Sequence, residues 1–187
     1  MTHRSMTAIA DGLEDLGVAT LRYQFPYMEK GGRRPDGPVV AHATVRAAVA
    51  EAARRANGIP LFAGGRSFGG RMTSQAQAIE PLPEVRGLVF FAYPLHPAGK
   101  PSVTRAEHLS AVAIPMLFLQ GSNDALARLD LLEQTLEALK GRATLHLIAD
   151  ADHAFHVSAR TGGTDPEVLA AALAVAARWM TVRSSRA

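Results

Sequence analysis

Cysteine is absent from this chain of 187 residues. That absence excludes a disulfide-stapled scaffold, a thiolate zinc site and a Cys–His nucleophile, and it favours a reducing, cytoplasmic setting. Long apolar runs are missing too. No stretch reaches the roughly 18 consecutive apolar residues of a membrane span, and Met1–Ser5 is not followed by a signal-like segment, so no membrane association is expected. Charge of one sign never accumulates: 20 basic residues are interspersed among 17 acidic ones for a net +3. Nucleic-acid binding therefore lacks its electrostatic footprint, and Arg33–Arg34 and Arg54–Arg55 read as short solvated pairs. His3, His42, His108 and His146 have no compact ligand spacing, so neither a metal nor another cofactor is expected. No Ser/Gly/Pro-rich linker divides the sequence, and a single domain over residues 1–187 is expected.

What is present is an alternation of helical and extended patterns. Ile9, Leu13 and Leu16 mark a helix over Met6–Leu16, Gly17 stops it, and Val18–Tyr23 reads as a strand. Residues 24–40, rich in Gly, Pro and charge, read as a long loop. A helix follows over 41–56 with Val45, Val49 and Ala53 on one face, then a short strand over Ile59–Ala63. Gly70–Ile79 reads as helix, and residues 86–93 and Met116–Gln120 as buried strands. Leu129, Leu132, Leu136 and Leu139 form the apolar face of another helix, and Thr144–Ile148 the last strand. Thr164 and Glu167 bracket Asp165–Pro166 as a capping box for a terminal helix. Strands this apolar, alternating with helices, predict a three-layer α/β/α sandwich around a mostly parallel sheet, with ligands beyond the strand carboxyl ends.

Between the third of these helical patterns and the strand before it stands Gly64-Gly65-Arg66-Ser67-Phe68-Gly69-Gly70. It is a G-x-S-x-G turn, in which small residues let the backbone reverse from strand to helix while the serine projects outward. A serine hydroxyl needs a base, and His153, directly after the last strand, is the preferred one, with His156 the local competitor. The base needs a carboxylate on its far nitrogen. Asp124, in Gly121-Ser122-Asn123-Asp124, gives the order serine, aspartate, histidine. As alternatives, Asp124 caps the next helix, or Asp150 or Asp152 supplies the carboxylate. Tyr93, His96 and Lys100 read equally as lining a substrate entrance or as part of a rigid Pro/Gly loop.

With these motifs the chain resembles the α/β-hydrolase superfamily, particularly the dienelactone-hydrolase-like branch that includes the hydrolase-like domain of a chromatin-associated scaffold protein. The elbow from Gly64 to Met72, the loop Tyr93-Pro94-Leu95-His96-Pro97-Ala98-Gly99-Lys100-Pro101, the acid turn and Asp150-Ala151-Asp152-His153-Ala154-Phe155 carry the resemblance. It implies Ser67, Asp124 and His153 as a triad and the Phe68 amide as an oxyanion-hole donor. In one respect the chain departs from the pattern: the family places a central strand and a His-Gly-Gly-like loop before the first helix, so the sequence reads as amino-terminally shortened. The expected function is hydrolysis of small carboxylic esters, thioesters or lactones through an acyl-enzyme. The alternative is a non-catalytic scaffold, its bare sheet edge covered by a second copy or by a partner protein.

Overall fold

Strands apolar on both faces are stable only when helices cover both sides of the sheet, and the computed structural model, which describes residues 4–158, 160 and 163–185, has that arrangement. The elements are α1 (Arg4–Glu14), α2 (Pro26–Glu29), α3 (Pro38–Ala56), β1 (Leu61–Arg66), α4 (Phe68–Ile79), β2 (Val85–Phe91), β3 (Met116–Gly121), α5 (Leu129–Glu137), β4 (Ala143–Ile148) and α6 (Asp165–Ser184), with a 3-10 helix at Thr104–Ala111. The four strands lie in the order β1-β2-β3-β4, and every pairing is parallel.

Alternation along β2 and β3 sorts the core into two layers. Leu88, Phe90, Met116 and Phe118 point to the side of α3, α4 and α5, where they meet Val45, Met72, Leu132 and Leu136. Val89, Phe91, Leu117 and Leu119 point to the side of α1 and α6 and meet Ile9, Leu13, Leu173, Trp179 and Met180. This is the three-layer α/β/α sandwich that the sequence predicts. α6 starts at the expected capping box, with the Thr164 and Glu167 side chains each bonded to the other's backbone amide.

Two sequence expectations differ from the structure. Val18–Tyr23 forms no strand. A strand requires a neighbour about 4.8 Å away, and these residues are separated from β1 by a cleft of about 420 Å³ lined by Leu13, Val18, Leu21, Phe62, Val89 and Met180. The backbone amides of residues 19–24 donate to no group among the described residues. Residues 24–40, expected as loop, contain α2 and the start of α3. Proline occupies the first turn of each, where its missing N–H leaves no hydrogen bond unmade. His3 lies outside the described residues.

Candidate active site

β1 ends at Arg66 and α4 begins at Phe68, so the entire reversal falls on Ser67, at φ 49° and ψ −119°. A non-glycine residue there carries backbone strain of about 1–3 kcal/mol. The strain is held from both sides: the Ser67 N–H donates to Phe91 O of β2 (3.0 Å), and the Ser67 carbonyl accepts from the Arg71 N–H (3.1 Å). Gly70 lets the new helix lie against the strand it came from, because a Cβ at that position would stand 2.8 Å from the Gly65 carbonyl oxygen.

The Ser67 hydroxyl does not cap α4. Its Oγ lies 2.8 Å from Nε2 of His153, and Nδ1 of the same ring lies 2.7 Å from Oδ2 of Asp124. A carboxylate can only accept, so Nδ1 carries the proton and donates to Asp124, leaving Nε2 as the acceptor for the Ser67 O–H. Asp124 is 4% exposed. Its Oδ2 also accepts from Gln120 Nε2, and its Oδ1 accepts from the Leu126 N–H (2.7 Å). Gln120 is oriented in turn by the Tyr93 N–H, which donates to its Oε1 (2.8 Å).

The acid and histidine loops approach closely because of Gly121, where a Cβ would stand 2.2 Å from the Ala151 carbonyl oxygen. They are then bonded together, with Ser122 N–H donating to Ile148 O, Asn123 N–H to Ala151 O, and Asp150 N–H to Ser122 Oγ. Arg66 Nη2 donates to the His153 carbonyl oxygen (2.8 Å). Arg71, the other arginine flanking the elbow, lies with its guanidinium 5.8 Å above the Phe68 ring.

Phe68 opens α4, where the leading amides of a helix have no intrahelical acceptor. Its N–H donates to no protein group among the described residues. Above Ser67 lies an open cavity of about 450 Å³. Its walls include Tyr23, Phe25, Tyr27, Met28 and Phe68, with the Phe25 and Phe68 rings edge to face at 5.2 Å. Burial pushes the phenols of Tyr23 and Tyr27 above their ordinary value, so both rings present neutral groups. Arg22 and Arg66 also line the cavity, and no carboxylate does among the described residues.

The structure therefore brings Ser67, Asp124, His153 and Phe68 together and leaves three other candidates elsewhere. Tyr93 is fully buried, with its hydroxyl donating to Arg105 O (2.9 Å). His96 is 3% exposed and accepts at Nε2 from the Arg128 N–H (2.9 Å), so it ties the loop after β2 to the start of α5. Lys100 is exposed, and none of the three lines the cavity over Ser67. His156, the competing base, bonds to Asp165 at the surface. Of the competing carboxylates, Asp152 accepts the Ala154 and His156 amides within its own loop. Asp150 sits at the turn stitched to Ser122.

Sequence reasoning missed Gln120 and the aromatic wall. A polar residue ending the apolar run Met116–Gln120 was the available signal for the first. The wall arises from residues 23–28, whose return toward the elbow no local pattern specifies. Among the described residues, no group of His, Asp and Glu is arranged to hold a metal ion, and no helix is long and apolar enough to cross a membrane.

Residues 1–181 match a protein family described as the alpha/beta hydrolase domain. Several solved structures share the fold. Est1E from Butyrivibrio proteoclasticus, with ferulic acid bound, superposes with a TM-score of 0.71 at 16% identity, over 97% of this chain and 84% of its own. An α/β serine hydrolase without a lid from Xanthomonas campestris gives 0.69 at 23% identity, over 96% and 75%. The esterase domain of a Rhodothermus marinus protein gives 0.67 at 17% identity, over 94% and 79%.

Proposed function

Since the chain belongs to the alpha/beta hydrolase domain family, we propose that it is a serine hydrolase that cleaves small carboxylic esters, thioesters or lactones through an acyl-enzyme. The observation that carries this reading is the continuous hydrogen-bonded chain from Ser67 Oγ through the His153 ring to Asp124. In acylation, Ser67 Oγ attacks the substrate carbonyl carbon and its proton passes to His153 Nε2. The imidazolium so formed is stabilised by Asp124 through Nδ1–H. The carbonyl oxygen, now carrying the negative charge, accepts from the Phe68 N–H. Collapse of this intermediate expels the alcohol or thiol, which takes the proton from Nε2. Water then repeats the sequence, attacking the acyl carbon as His153 removes its proton, and Ser67 leaves with that proton restored.

The test is intact-mass detection of a fluorophosphonate adduct on the folded chain. One adduct is expected on the native protein and none on Ser67→Ala. Absence of label on natively folded protein, together with no turnover across an ester and thioester panel, refutes the reading.

The cleft beside β1 favours a second reading, in which the chain also serves as an interaction domain. β1 pairs only with β2 among the described residues, and the segment across the cleft has unbonded amides. Two such rows suit an extended strand from a second copy or a partner protein. Slowed hydrogen exchange in residues 19–24 and 61–66 on complex formation is expected, unaffected by Ser67→Ala. A monomer whose exchange there is independent of concentration counts against pairing with a second copy.

A further inference from the structure

We infer that Arg66 is a positioning residue, which ties the histidine loop to the nucleophile strand and holds a cation beside the Ser67–His153–Asp124 chain. For its kinetic consequences this inference rests on the serine-hydrolase reading. The three groups arrive on three different segments, and these segments are not equally well joined. The acid and histidine loops are bonded to each other by Ser122 N–H to Ile148 O, Asn123 N–H to Ala151 O, and Asp150 N–H to Ser122 Oγ. The histidine loop is also bonded within itself, its Asp152 carboxylate accepting the Ala154 and His156 amides. Acid and base therefore behave as one unit. Among the described residues, a single hydrogen bond joins the backbone of that unit's histidine loop to β1: Arg66 Nη2 to the carbonyl oxygen of His153 itself.

Arg66 is well suited to this task. It is the last residue of β1, adjacent to Ser67 and half-buried. It forms no ion pair within 4 Å among the described residues. Burial lowers its pKa while Asp152 and Asp124 oppose that, so its charge sits in the field of both carboxylates. Among the described residues, the other arginine on the cavity wall is Arg22. Because Arg66 also lines the cavity, the competing role is attraction of an anionic substrate, which would act on KM.

The experiment compares Arg66→Met and Arg66→Lys with the unaltered chain. It measures kcat and KM for a neutral ester, p-nitrophenyl butyrate, and crystal structures of the unreacted proteins record the Ser67 Oγ–His153 Nε2 separation, 2.8 Å in the unaltered chain. For Arg66→Met a fall in kcat of about 10- to 100-fold is expected, as for a displacement of about 1 Å between reacting groups, with KM little changed. The Ser67 Oγ–His153 Nε2 separation should grow by about 1 Å, while His153 keeps its bond to Asp124. Arg66→Lys, which keeps a donor for the His153 carbonyl, should restore part of kcat. Unchanged kcat and separation, or a loss confined to KM, overturns the inference. If the unaltered chain takes no fluorophosphonate, the hydrolase reading fails, and the Ser67 Oγ–His153 Nε2 separation alone decides Arg66: an unchanged separation in Arg66→Met refutes the positioning role. Arg66→Ala, which likewise removes the donor, replaces the Met variant if that variant does not fold.

Discussion

One oxygen of Asp124 accepts from both Gln120 and His153, so the orientation of the imidazole depends on a glutamine that never touches the serine. The three residues of the hydrogen-bonded chain were legible in the sequence because each follows an apolar strand, where a parallel sheet gathers its loops. Gln120, Arg66 and the wall of Phe25 and Tyr27 were not, because what they do depends on contacts between segments far apart in the chain. Tyr93 and His96 illustrate the converse. Their residue types suggest chemistry, yet both are buried and bonded to protein groups.

A second serine–histidine pair shows why proximity alone is insufficient. Ser74 is fully buried, and its Oγ, 2.8 Å from His108 Nε2, donates to the Arg71 carbonyl (2.9 Å). His108 must then donate from Nε2, which is the opposite polarity to the His153 pair. Burial, aided by the charge of Arg71 and by His42, depresses His108 from 6.5 to about 4. The unfolded chain therefore takes up this proton first as pH falls. The stabilisation is complete above pH 6.5 and is lost progressively as the pH falls toward 4. Urea unfolding midpoints should decline over this window in the native chain and decline less in His108→Gln. Parallel declines would show that His108 is not the group responsible.

At the level of elements, two substitutions separate stability from site geometry. Thr164→Ala removes the cap that starts α6 and should cost about 1 kcal/mol in urea unfolding, while leaving the fluorophosphonate labelling rate unchanged. Gly121→Val should act the other way round on the site, since even its Cβ would meet the Ala151 carbonyl. The acid and histidine loops must separate to accommodate it, and labelling should fall by at least about 100-fold. If Gly121→Val labels normally, the close approach of these loops is not what aligns Asp124 and His153 with Ser67. The capping box could be read from four residues, Thr164–Glu167, because it is a local device. The steric role of Gly121 could not, since its neighbour lies 30 positions onward in the chain.

For the molecule as a whole, the sandwich was legible because unbroken apolar strands admit few other solutions. A bare sheet edge was also expected from the shortened start, but the register was not legible, because pairing depends on which strand stands beside which. Val18–Tyr23 carries a strand-like pattern and makes no ladder, having no neighbour at bonding distance. The sheet that does form has its strands in chain order, β1-β2-β3-β4, and this has a bearing on synthesis. Each strand can join the edge of its predecessor as it leaves the ribosome, without waiting for a later segment to be inserted between strands already paired. The cover of one face arrives last, however: Val89, Phe91, Leu117 and Leu119 are buried against α6, which ends at Ser184. Nascent chains stalled with residues up to 164 outside the ribosome should therefore carry a paired sheet with an oily, protease-sensitive flank and be held by chaperones, whereas chains stalled on an added linker with residues up to 185 outside it should be released. Equal chaperone retention at both lengths would show that α6 does not act as the closing step, and equal protease resistance would show that α1 suffices to seal that face.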